Sequence, residues 1–199
     1  VNPRVDYQLN ARNTLTLRYV FTHSDVRDAG IGSFNLASRG YHVRNTNQTA
    51  QITETAALGA SVINETRFQF LRNGDETTAN TLAPAIQALG SFNGGGAQVG
   101  HSFNEQNNYE FQNYTSVLTG KHLIKFGARV RDGREANYAN SNFNGTFTFD
   151  SLTAYQITEQ GIANGLTPEQ IRAMGGEPSQ FFIVTGVPSI AVNQVDVGL

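Results

Sequence analysis

"LTGKHLIKFGARVRD", residues 118–132, carries the signal from which the fold is read. From Ile124 onward the chain alternates. Ile124, Phe126, Ala128 and Val130 fall on one side, and Lys125, Gly127, Arg129 and Arg131 on the other. A period of two belongs to a β-strand, whose successive side chains point to opposite faces. One face is wholly apolar and the other cationic, so the two need different surroundings. Upstream, Tyr109 and Phe111 open an arm that enters the tight turn Thr119-Gly120-Lys121-His122. Together these make a hairpin over about residues 108–134.

Two further hairpins lie upstream of this pattern. "YQLNARNTLTLRY", residues 7–19, sits in one spanning about 4–23 with a break at Ala11-Arg12-Asn13. Leu9, Leu15, Leu17, Tyr19 and Phe21 share one face. Gln8, Asn10, Thr14, Thr16, Arg18 and Thr22 share the other, with Val20 the apolar exception. The second covers about 48–73, where Phe68 and Phe70 alternate with Arg67 and Gln69. The turns inside the hairpins are a few residues long, whereas the connections 24–46, 74–107 and 132–191 are long and rich in Gly, Asn and Ser. Long structureless loops are rare in compact soluble domains. Short turns at one end and long loops at the other characterise outer-membrane barrels.

Bulk composition fits that class. The 199 residues are 15% charged, with a formal net charge of -2, against about 25% charged in an ordinary soluble domain. Polarity comes instead from uncharged side chains, including 20 Asn, and the 14 basic residues are 12 Arg and 2 Lys. So small a net charge gives no global attraction to nucleic acid. There is no Cys, hence no disulfide framework and no thiolate metal site. No apolar run approaches the 18 residues of a membrane-crossing helix, but barrel strands are short and alternating and escape that test.

Candidate chemistry is sparse. His23, His42, His101 and His122 have no ligand spacing. The run Gly94-Gly95-Gly96 lacks a following Gly-Lys-Ser/Thr and reads as a flexible loop tip rather than a phosphate cradle. Asp75-Glu76 lies in no calcium-loop pattern, and there is no nucleophile motif. Four Asn-x-Thr triplets, at Asn47, Asn64, Asn113 and Asn144, are expected by chance in so Asn- and Thr-rich a chain. No catalytic residue, cofactor or metal is expected. In the last third, residues 146–149 form a short strand candidate and a helix is expected near 151–160. A second helix near 168–174 is well punctuated, with Thr167 as N-cap, Pro168 first, Gln170 three after the cap and Gly175 as stop. Residues 180–185 and the closing "SIAVNQVDVGL" resume strand character.

The hairpin "LTGKHLIKFGARVRD" resembles the recurrent Gly-Lys-His-x-x-Lys-Phe-Gly hairpin of TonB-dependent outer-membrane receptors, most of all the Oar-like group with a carboxypeptidase-regulatory-like domain. The stretch from Phe143 to Pro188 and "YQLNARNTLTLRY" are similar to that group as well. The resemblance implies an all-β fold: antiparallel strands forming part of a transmembrane β-barrel, with long extracellular loops carrying one or two short helices. It further implies a bacterial outer-membrane location and binding or uptake of a solute at the cell surface. The chain would be an internal slice of six or seven strands. The plug domain and the contact with TonB would come from other parts of the protein, and the partners would be outer-membrane lipid and an unknown solute.

On this reading Leu15, Leu17, Tyr19, Phe21, Phe68, Phe70, Ile124, Phe126 and Val130 face lipid. Arg18, Arg67, Lys125, Arg129 and Arg131 face the lumen, as wall arginines and a lysine paired with carboxylates rather than touching solute. A secreted or surface β-rich structural or adhesive protein, a fibre or surface layer, is the alternative. A soluble β-sandwich is a third reading, and it needs a second sheet against the apolar face.

Overall fold

The computed structural model describes residues 1–184 and, as backbone, 189–198; residues 185–188 and 199 lie outside the described set. Seven strands form one antiparallel sheet in the order β1-β2-β3-β4-β7-β8-β11. They are β1 (Arg4–Asn10), β2 (Asn13–Ala29), β3 (Tyr41–Ala57), β4 (Val62–Ala79), β7 (His101–Thr119), β8 (His122–Ala139) and β11 (Ser189–Gly198). Each is hydrogen-bonded to the next along the chain, apart from the two excursions described below, so the sheet is a meander. Among the described residues β1 and β11 are not paired with each other, and the sheet is open.

The expected hairpins are all present, and their strands run further than the sequence pattern shows. Strands β2, β3, β4, β7 and β8 are 17 to 19 residues long, so the expected loops 24–46, 74–107 and 132–191 shrink to 30–40, 80–100 and 140–188. Most of the added strand residues, such as Ser24, Asn45, Asp75 and Asn104, are polar or small. They lack the apolar alternation by which a strand is recognised, and their ladder pairing alone marks them as strand.

The short connections lie at one end of the sheet: residues 11–12, 58–61 and 120–121. Gly120 adopts φ +58, as a two-residue hairpin loop with glycine first requires. The Ala11-Arg12 turn holds no positive φ, and the register slips between Gln8 and Asn10. Asn10 therefore pairs with Asn13, on the Leu15 side, and not on the polar side where alternation places it.

At the opposite end the long connections fold into a cap. A four-stranded sheet in the order β10-β9-β5-β6 is built from β5 (Ala85–Ala88), β6 (Phe92–Gly95), β9 (Thr146–Phe149) and β10 (Gln180–Phe182). Strands β5 and β9 run parallel, which local hairpin signals cannot announce. Helix α1 (Leu152–Ala163) is capped by the Ser151 hydroxyl, which accepts from Ala154 N–H at 3.1 Å. Helix α2 (Pro168–Ala173) carries the expected capping box between Thr167 and Gln170. Gly175 follows at φ +85. The Gly94–Gly96 run is not a flexible tip. A Cβ on Gly95 would lie 2.0 Å from Pro84 O and one on Gly96 2.2 Å from Ala83 O, so glycine is needed for backbone to approach backbone.

Hydrophobic burial is concentrated in the cap and at small residues: Ala85, Ala88, Ala97, Phe149 and Ile171 are buried there, Ala56 and Ala79 in the large sheet. The large sheet is a single layer. Among the described residues its apolar face has no second sheet against it, contrary to the soluble-sandwich reading.

Candidate functional site

Residues paired across a ladder share a face, so the register assigns sides without reference to any single side-chain angle. Val5, Leu17, Ile52, Phe68, Phe111 and Val130 are successive partners across six strands and make one unbroken apolar row. Tyr19, Ala50, Phe70 and Tyr109 form the next row, with Phe70 and Tyr109 rings 5.0 Å apart. Ile124 pairs with Val117, which pairs with Val62, on the same side. All nine residues expected to face lipid, Leu15, Leu17, Tyr19, Phe21, Phe68, Phe70, Ile124, Phe126 and Val130, lie on this one face. Phe111 is 50% and Phe126 58% exposed within the chain, too much apolar surface to leave in water.

The apolar zone is bounded along the strands. On β4 it runs from Val62 to Phe70, and the next row outward is Phe21 followed by the polar Gln48, Arg72, Asn107 and Arg134. Nine residues at about 3.3 Å rise and a tilt near 40° span roughly 23 Å, close to the ~25 Å apolar band of an outer-membrane barrel. Two polar features interrupt it: Glu54, the ladder partner of Leu15 and Thr66, and an island of amides and hydroxyls beside it. Asn64 Nδ2 donates to Asn113 Oδ1 at 3.1 Å and to Thr115 Oγ1 at 2.8 Å, and Asn113 Nδ2 donates to Thr66 Oγ1 at 2.8 Å. Partners within the island satisfy these groups, which lowers the cost of placing them in apolar surroundings. Asn64 and Asn113 belong to two of the four Asn-x-Thr triplets, and their amides are engaged across the β4–β7 ladder.

The opposite face is mostly polar, with Val20, Ile63 and Leu71 among its apolar members. Arg4, Arg18, Gln51, Gln69, Glu110 and Arg131 form one row, and Thr16, Thr53, Arg67, Gln112 and Arg129 the adjacent one. Lys125 lies on the same face, its Nζ 4.9 Å from the centre of the Tyr114 ring. The five expected lumen residues, Arg18, Arg67, Lys125, Arg129 and Arg131, are thus brought to one side. Their partners differ. Glu110, 16% exposed at its side chain, accepts from Arg131 Nε at 2.5 Å and lies 3.6 Å from Arg67 Nη2. Among the described residues Arg18 reaches only Asn2 Oδ1, at 3.5 Å. Glu110 is the hub of this face and was not singled out from sequence, because a carboxylate in a strand is conspicuous only once its two cross-strand arginines are known. Beside it Gln69, Asn108, Arg131 and Gly133 line a hollow of about 370 Å³ in the wall.

The cap is held together by side chains from all three long connections. Arg39 Nη1 donates to Gly96 O at 2.6 Å and Nη2 to Gln98 Oε1 at 3.1 Å. Burial lowers the pKa of the Arg39 guanidinium from the ordinary arginine value. Gln98 Nε2 donates onward to Thr146 Oγ1 at 2.9 Å, and Asn93 Nδ2 donates to Asn35 Oδ1 at 2.8 Å. On the apolar side of the small sheet, Tyr155 of α1 meets Phe92 and Phe149 edge-on at 5.1 and 5.3 Å. Among the described residues no group of three or more His, Asp or Glu is placed to hold a metal ion.

Comparison with known families agrees with this two-faced wall. A family model described as "Outer membrane beta barrel domain" matches residues 1–176. No curated protein and no solved structure matches the chain. The chain therefore belongs to the outer membrane beta barrel domain family, and its meander is a section of barrel wall in the bacterial outer membrane.

Proposed function

We propose that the chain is wall and external cap of a TonB-dependent receptor that binds or takes up a solute at the cell surface. The observation that carries this reading is the polar face. In an eight-stranded barrel the interior is just wide enough for side chains to fill it. Here Arg18, Gln51, Gln69, Arg67, Gln112 and Arg131 present long polar side chains along the described strands, a wall suited to a wide lumen that holds water or a plug. The strands support it too. Nineteen residues, as in β7, rise well beyond a 25 Å apolar band, toward an ordered cap. The Gly120–Gly127 hairpin motif adds the resemblance to such receptors.

The receptor's remaining strands, its plug and its TonB-contacting segment are supplied by the rest of the protein, and the solute passes when the plug is displaced. The wall itself performs no catalysis and carries no cofactor. In-vivo crosslinking of the whole protein to TonB, together with conductance in planar bilayers, tests the proposal. A TonB crosslink and a closed barrel at rest are expected. A steady open-pore conductance with no crosslink would make the protein a passive channel instead.

A further inference from the structure

The geometry points to a binding pocket in the cap, between the small sheet and α1, for an apolar, ring-sized molecule bearing a positive charge. The pocket has a volume of about 390 Å³. That falls within the ~300–1,000 Å³ of small-molecule sites. Its floor is the apolar face of the sheet, where Ile86 and Phe147 are ladder partners, and Phe149 continues that face one step along. One wall is α1, through Tyr155, Thr158, Glu159 and Ile162; the other is Ala83, Pro84 and Pro178.

The pocket is held open by parts that do not readily collapse into it. Pro84 and Pro178 fix their backbones. The Thr158 hydroxyl is committed elsewhere, donating to Ala154 O at 2.8 Å and accepting from Glu177 N–H at 2.7 Å. Phe149 and Tyr155 are locked edge-on. Ile162, 63% exposed, sits on the same wall with its apolar surface open to a ligand.

Charge complementarity selects the ligand. Glu159 is the one charged residue of the lining, and among the described residues it has no ion pair and no side-chain hydrogen bond. The nearby Glu177 is already paired with Arg172 at 2.7 Å. A cationic group on the ligand would therefore meet an available carboxylate, and an anionic one would be repelled. The aromatic lining adds cation–π attraction of the same sign. This site does not depend on energy coupling through TonB, since its binding is read at equilibrium.

Three indole probes of one shape separate the contributions: tryptamine (cationic), tryptophol (neutral) and indole-3-acetate (anionic). They are compared by saturation-transfer NMR on the whole protein in nanodiscs at low salt. The expected order is tryptamine, then tryptophol, then indole-3-acetate. Glu159→Gln brings tryptamine down about fivefold, to the level of tryptophol, and leaves tryptophol unchanged. Ile162→Ala, at an exposed position that folding tolerates, weakens tryptamine and tryptophol alike. No binding of any probe, as when another segment of the protein fills the pocket, would overturn the assignment. So would binding that neither substitution changes.

Discussion

Arg131 Nε donates to Glu110 Oε2 at 2.5 Å across the β7–β8 ladder, and the same carboxylate lies 3.6 Å from Arg67 on β4. One acid therefore ties three strands on the polar face. A hydrogen bond to a charged group contributes about 1.5–3 kcal/mol. Glu110→Ala is expected to destabilise the folded barrel by about 1–3 kcal/mol in urea unfolding from lipid vesicles. Arg131→Ala alone should cost less, because Arg67 keeps its partner. A double-mutant cycle on Glu110 and Arg131 should show coupling above about 0.5 kcal/mol. Additive single effects would mean that the two side chains act independently.

Gly127 lies opposite Tyr114 on that face. A Cβ there would come within 2.0 Å of Asn113 O and 2.6 Å of Tyr114 Cδ1. The last glycine of the Gly-Lys-His-Leu-Ile-Lys-Phe-Gly run is therefore a packing glycine, covered by an aromatic ring from the next strand, a device that also pins register. Gly127→Ala should destabilise by about 1–3 kcal/mol through overpacking. Gly120→Ala meets no atom within 4 Å and should cost about 1–2 kcal/mol, from the left-handed backbone alone. Thermal unfolding followed by heat-dependent gel mobility gives both numbers; a neutral Gly127→Ala would contradict the packing.

The three hairpins and the two-faced pattern were legible because lipid and lumen impose opposite demands on alternate residues. Leu17, Phe68 and Val130 could be placed on one side from sequence, and the register joins them into a row. The upper halves of the strands were hidden. There Asn45, Asp75 and Asn104 are mutual ladder partners with polar side chains, and no apolar alternation distinguishes them from loop. The cap was hidden for a different reason. Residues 85–88 and 146–149 pair in parallel across some sixty residues, and such non-local contacts leave no local spacing. The helices α1 and α2 were readable, since Ser151, Thr167, Gln170 and Gly175 are local end signals. Glu159, Tyr155 and Phe147 come together only once helix and strand are folded against each other.

Burial pushes the Tyr155 hydroxyl above the ordinary phenol value, and the Glu159 carboxylate adds to the shift. The folded state thus holds the Tyr155 proton more tightly than the unfolded chain. The stability this contributes to the cap is present below the unfolded phenol value of about 10 and is lost as pH rises through the higher folded value. An ultraviolet difference titration of wild type against Tyr155→Phe should show one late-titrating tyrosine, and Glu159→Gln should move it part of the way back. A Tyr155 that titrates with the exposed tyrosines would contradict the packed cap.

If one face of the sheet meets lipid and the other an aqueous lumen, neighbouring residues on a strand must differ in their access to water. The chain holds no cysteine, so single cysteines can be introduced without background. Labelling in outer-membrane vesicles with a water-soluble maleimide tests neighbouring positions directly: Leu17→Cys against Arg18→Cys, Phe68→Cys against Gln69→Cys, and Val130→Cys against Arg129→Cys. Protection from the maleimide and quenching by a lipid-phase probe are expected at the first position of each pair, and ready labelling at the second. Equal labelling within the pairs, or protection of the Arg18, Gln69 and Arg129 positions instead, would contradict the two-faced wall.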